Sequence, residues 1–112
     1  MYGYRKYHNT KTEINGLVFD SKKEAKRYAE LTMLEKAGEI KGLLTQQKFL
    51  IVPKENKVNR ARYYVADFVY TTRDGRRVIE DVKSPITKKN PVYSLKKALV
   101  LWRYPEYDFI ET

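Results

Sequence analysis

Asp67 and, fourteen residues later, Asp81-Val82-Lys83 are the residues of this chain best suited to chemistry. An acid on one strand, followed by acid–x–lysine on the next, can hold a divalent cation between two carboxylates. Oxygen ligands without histidine or cysteine favour a hard cation, Mg²⁺ with Mn²⁺ able to substitute. Such a cation would polarise a phosphodiester and lower the pKa of a water. Lys83, two residues beyond Asp81 on the same face, would hold that water or stabilise the developing charge. The backbone carbonyl of Val82 is a candidate further ligand.

This chemistry requires the two aspartates to share a face, and the turn between their strands decides that. A two-residue loop at Asp74-Gly75 would pair Asp67 with Val82 and send the aspartates to opposite faces, because side chains alternate along a strand. A three-residue loop, Arg73-Asp74-Gly75, pairs Thr72 with Arg76 and needs Gly75 left-handed. Asp67 then lies opposite Asp81, and Val65 opposite Lys83. Like charges directly opposed are destabilising, and a cation between them removes the repulsion. The same register puts Glu80 on the other face with Phe68 and Ala66, so Glu80 is not expected to be a ligand.

The elements that must position these residues follow from pattern. Thr12-Glu13-Ile14 and Leu17-Val18-Phe19 flank Asn15-Gly16, a strong hairpin signal. A helix is predicted from about Ser21 to Ala37, ending at Gly38, with Ala25, Tyr28, Leu31 and Leu34 at helical spacing. Strands are predicted over Leu43–Val52, Tyr63–Thr71 and Arg77–Lys83, with a polar connection over Pro53–Arg60. Ser84-Pro85 should end the third of these, and Thr87-Lys88-Lys89 reads as a basic loop. Asn90-Pro91 supplies an N-cap and N1 proline for a second helix to about Tyr104, its stripe Leu95, Ala98, Leu99 and Trp102. Asp108–Glu111 reads as a last strand. The order ββ-α-βββ-α-β predicts an α/β fold, a mixed central sheet covered by helices, with an N-terminal hairpin.

The 112 residues are 42% apolar and 33% charged, the balance of one soluble globular domain spanning 1–112. No apolar run approaches a membrane span, no signal peptide is visible, and cysteine is absent, so a cytoplasmic protein is expected. The net charge is +9, and residues 54–103 carry 13 Lys and Arg against 5 Asp and Glu. Two of those five acids are Asp67 and Asp81. An acidic pair inside a basic field suits a site working on a nucleic-acid backbone.

Together these residues resemble the PD-(D/E)XK nuclease superfamily, and more closely a family of small phage and prophage proteins described as nuclease-like and of unknown function. The matching stretches are Phe19-Asp20-Ser21-Lys22-Lys23-Glu24-Ala25, Gln46-Gln47-Lys48-Phe49, Ala66-Asp67-Phe68 and Glu80-Asp81-Val82-Lys83. They cover nearly the whole chain. Ala66 stands where the eponymous proline would be. The resemblance implies a restriction-endonuclease-like core of about four strands, Mg²⁺-dependent DNA cleavage in a phage host's cytoplasm, and Glu24 as an extra acid acting on the metal directly or through water. It also implies Gln46 as an accessory residue beside the site. The fold serves many kinds of nuclease and does not name the substrate. Specificity in so small a domain would come from DNA structure, such as a junction or branch, or from a homodimer placing two sites across a duplex.

Other readings stand beside these. Ser21-Lys22-Lys23-Glu24 is also a capping box, with Glu24 bonding back to the helix start. Lys96 and Lys97, expected to face away from the Leu95/Trp102 stripe, form with Lys88 and Lys89 either a solvated face or a phosphate-tracking surface. Residues 1–11 read as a basic, tyrosine-rich arm. The alternative function is a non-catalytic DNA-binding or packaging accessory protein on the same fold.

Overall fold

The computed structural model describes residues 11–55, 57 and 60–112. Nearly all of the expected arm, and part of the connection before Arg60, lie outside the described residues. The N-terminal hairpin pairs β1 (Thr12–Ile14) with β2 (Leu17–Phe19). Asn15 and Gly16 both have positive φ, as the tight two-residue turn requires. Helix α1 (Lys22–Lys36) follows, with Ser21 Oγ accepting from the Glu24 N–H. Next come β3 (Ile40–Val52), β4 (Arg62–Thr72) and β5 (Arg77–Asp81). A short helix α2 (Pro85–Lys88), helix α3 (Pro91–Arg103) and strand β6 (Tyr107–Glu111) complete the order.

The main sheet runs β3-β4-β5-β6, with β6 parallel to β5 and the other pairs antiparallel. It is therefore a four-stranded mixed sheet, with an N-terminal hairpin and helices as expected. The segment expected to be a basic loop after Ser84 is instead partly helical: Ser84 Oγ caps the turn by accepting from the Thr87 N–H, and Pro85 occupies its first position. No described helix is long and apolar enough to cross a membrane.

Two clusters of buried side chains cover the sheet. Phe19, Ala25 and Leu31 pack with Phe68, Tyr70 and Val78 beneath α1. Val100 packs with Phe49, Tyr64, Ala66, Val69 and Ile79 beneath α3. Leu34, expected inside, is at the surface. A larger correction concerns α3. Its inward side is Tyr93, Lys97 and Val100, continued by the C-cap Tyr104, and Leu99 of the expected stripe also packs against the cluster, whereas Leu95 and Trp102 of that stripe are 61% and 77% exposed. Apolar residues surround most of this helix, so periodicity alone did not distinguish its faces.

Strict alternation fails at one place on β4. Tyr64 and Ala66 belong to the cluster under α3, but Phe68 and Tyr70 belong to the one under α1. The change falls at Asp67, whose β3 neighbour Gln46 has φ +52° and drops out of a ladder whose register is constant from Leu44 to Leu50 (Gln47 with Ala66, Thr45 with Phe68). Ala66 therefore does not share the face of Glu80, contrary to the simple register argument. A positive φ at a non-glycine residue is uncommon and concentrates at functional positions.

Candidate active site

The β4–β5 hairpin turns through Arg73, Asp74 and Gly75. Thr72 N–H donates to the Arg76 carbonyl at 2.7 Å, and Gly75 has φ +93°. Phe68 pairs with Glu80 and Val69 with Ile79, the register that brings Asp67 to Asp81. Beyond Phe68 the strands part, and the expected pairing of Val65 with Lys83 does not form. Val65 pairs with Lys48, and the Lys83 N–H donates to the Thr112 carbonyl at 3.0 Å.

The aspartates fill the place where the ladder opens. The Asp67 N–H donates to Asp81 Oδ1 at 2.8 Å, and the Val82 N–H donates to Asp67 Oδ2 at 2.9 Å. Each carboxylate thus takes over an amide that the ladder would have satisfied. Asp81 is 0% exposed, and its Oδ2 is buried without a hydrogen-bond partner among the described residues. A buried carboxylate oxygen with no partner is costly unless a proton, a water or a cation meets it.

Glu24 comes to the same place from α1. The capping box is only half made, because Ser21 caps the helix while the Glu24 carboxylate accepts from Gln46 Nε2 at 3.0 Å. The Gln46 amide also reaches Asp67 Oδ1 at 3.4 Å. Gln46, in its left-handed conformation, therefore bridges the two acids. Asp67, Glu24, Val82 and Lys83 line a cavity of about 350 Å³ with Asp20, Ser21, Lys23, Ser84 and Thr87. Sequence reasoning assigned neither Asp20 nor Lys23 a part in the site, yet both line it, and Lys23 donates from Nζ to the Lys83 carbonyl at 3.2 Å. Their position beside Glu24 was the available signal.

The electrostatics of the three acids agree. Burial, then the neighbouring Asp67 and Asp20, pushes Glu24, itself only 7% exposed, up to about 7. Burial also raises Asp67 and Asp81, opposed by the amide that each carboxylate binds and by Lys83. Burial is the first cause for all three acids, of which Glu24 and Asp67 line the cavity. Glu80 is different. On the α1 side it accepts from Arg27 Nε (2.5 Å) and Nη2 (3.1 Å), Tyr70 Oη (2.6 Å) and Thr112 Oγ1 (3.1 Å), which leaves it no part in the cavity.

Lys88 and Lys89 are exposed at the end of α2, just after Thr87 of the cavity wall. Lys96 is exposed on α3. Lys97 does not face away as expected: its Nζ lies 3.5 Å from Glu111 Oε1 and over the Phe109 ring.

Whether these residues fit a divalent cation can be judged from their donors. Among the described residues no group of three or more Asp, Glu, His or Cys side chains gathers as a metal site, and the Gln46 amide stands between Glu24 and Asp67. The fit is instead to Asp67, whose oxygens meet the Val82 and Gln46 amides, and to Asp81, whose Oδ1 meets the Asp67 amide and whose Oδ2 is free. That donor set is all oxygen and suits a hard cation keeping several waters.

A family model described as "Protein of unknown function (DUF1064)" matches residues 4–110. No curated protein matches the chain.

Proposed function

The chain belongs to the DUF1064 family, and from its site we propose that it is a metal-dependent DNA endonuclease of the PD-(D/E)XK type, hydrolysing phosphodiester bonds in phage or prophage biology. The observation that carries this reading is the buried, unpartnered Oδ2 of Asp81, set against Asp67 and next to a cavity that also holds Glu24 and Lys83. In it, Asp67 and Asp81 hold Mg²⁺, or Mn²⁺ in its place, with the Val82 carbonyl as a further ligand. Glu24 assists through the ion's waters. When bound, the ion supplies Lewis acidity toward the phosphate and lowers the pKa of a water.

The side chains have separate roles in this reaction. Lys83 holds the attacking water and stabilises charge developing on the phosphate. Gln46 fixes Glu24 relative to Asp67. Glu24, with its proton affinity near neutrality, suits a group that receives a proton from water. Lys23 in the cavity wall, Lys88 and Lys89 just after it in the chain, and the exposed Lys96 on α3 serve as contacts for the DNA backbone. Branched or junction DNA, or a duplex spanned by a homodimer, is the favoured substrate.

Incubation with supercoiled plasmid and a four-way junction, in Mg²⁺, Mn²⁺ or EDTA, tests the proposal. Cleavage should require the metal and be lost in Asp67→Asn and Asp81→Asn while DNA binding persists. Equal cleavage by both variants would overturn it. The scattered rather than gathered acids favour one second reading, a DNA-binding or packaging accessory protein. It predicts salt-sensitive binding without cleavage under any metal.

A further inference from the structure

Lys83 makes no ion pair with a carboxylate among the described residues; its ammonium lies over the ring of Tyr93, 5.3 Å from the centroid. Tyr93 sits in the first turn of α3, three residues after the N-cap Asn90, whose Oδ1 accepts from the Val92 and Tyr93 N–H groups. The Tyr93 hydroxyl donates a short hydrogen bond to the Glu111 carboxylate on β6. Glu111 also faces Lys97, and is the parallel-ladder neighbour of Asp81. Lys97 in turn rests over Phe109, 5.0 Å from its centroid. An unbroken series of contacts, Lys97–Glu111–Tyr93–Lys83, thus runs from the buried side of α3 to the wall of the cavity.

We infer that Tyr93 is a positioning residue for Lys83, its ring face fixing the ammonium at the cavity while Glu111 and Lys97 fix the ring. The inference rests on the role given to Lys83 above. A lysine side chain has several freely rotating bonds and gains little order from its own backbone. A ring face attracts an ammonium without neutralising it or occupying its three donors, which stay available to a water and a phosphate oxygen. A carboxylate partner would take up those donors. Lys97, expected to contact DNA, belongs to this support. Burial and the bond to Glu111 keep the Tyr93 phenol well above its ordinary pKa, so it remains a neutral donor.

The test uses the full chain with Tyr93→Phe and Tyr93→Leu, read in two ways. Ring-current NMR shifts of the Lys83 ε-protons, assigned with Lys83→Arg, report the contact in metal-free protein without any need for activity. They should lie upfield in the wild type and in Tyr93→Phe, and return to ordinary lysine values in Tyr93→Leu. Single-turnover cleavage at saturating DNA should fall about 5- to 30-fold in Tyr93→Leu, from the usual strength of such contacts, with DNA affinity little changed. Tyr93→Phe should recover most of that loss. Ordinary Lys83 shifts in the wild type, or wild-type turnover in Tyr93→Leu, would overturn the inference. Upfield shifts that depend on the ring, in a protein that cuts no DNA, would uphold the contact and overturn the proposed activity instead.

Discussion

Replacing Glu24 by glutamine should stabilise the protein at alkaline pH and do little at acid pH. Burial first, and Asp67 and Asp20 next, raise the Glu24 pKa from 4.5 to about 7. An acid whose pKa is higher folded than unfolded binds more protons in the folded state between those two values. Stability therefore falls as pH rises through that window, and the penalty is complete only above pH 7. The difference, 7 − 4.5, taken at about 1.4 kcal/mol per pKa unit, gives a penalty of about 3.5 kcal/mol. For a chain of this size that is roughly 15 °C in Tm. Glutamine keeps the N–H that Ser21 caps and can still meet the Gln46 amide. Thermal melts of both proteins in EDTA from pH 4 to 8.5 should show curves that nearly meet at the acid end and separate above pH 5. Raised pKa values at Asp67 and Asp81 affect both proteins alike and largely cancel. A gap independent of pH, or a variant less stable at pH 8.5, would refute the argument from desolvation. Mg²⁺ should then narrow the gap at pH 8.5 by stabilising the wild type more.

Glu80→Ala leaves the guanidinium of Arg27 half-buried without its principal partner and should lower the urea unfolding free energy by about 3 kcal/mol. Val100→Ala should cost about 2–3 kcal/mol in the same assay, whereas Trp102→Ala should change it by less than about 0.5 kcal/mol, reversing the order expected from the Leu95/Trp102 stripe. Gly75→Ala meets no neighbouring atom but must adopt φ near +93°, so denaturation should show a loss of about 1–2 kcal/mol from backbone strain alone.

The hairpin was legible because its geometry is local. Asp74-Gly75 allows few turns, and only the three-residue one lets both aspartates meet. The strands, their order and α1 were legible for the same reason, since turn residues and caps punctuate them. The α3 face was not. Its inward row contains Lys97, a charged residue that sequence assigns to solvent, yet its ammonium finds Glu111 and Phe109 and its position faces the sheet. The short helix at Pro85 was hidden by a basic, proline-led segment that reads equally well as a loop. Gln46 was legible only through resemblance, because nothing local announces a left-handed residue in mid-strand. Glu24 was undecided between capping and chemistry, and the single bond from Gln46 separates those roles. Glu80 was correctly set apart from Asp81, but its partner Arg27 lies 53 residues away and no local pattern names it.

The paired amide bonds at the aspartates also limit denticity. Asp67 Oδ2 and Asp81 Oδ1 each accept from a strand N–H and Asp67 Oδ1 meets the Gln46 amide, so of the four oxygens only Asp81 Oδ2 would meet an incoming ion with no hydrogen bond to share. Two-oxygen clasping of one cation by either aspartate would have to share an oxygen with the hairpin's own pairing. Calcium, which favours seven or eight contacts and bidentate carboxylates, is poorly served by such a site. A six-coordinate ion retaining most of its waters loses nothing there. The discrimination between the two ions would then come from the β-sheet backbone.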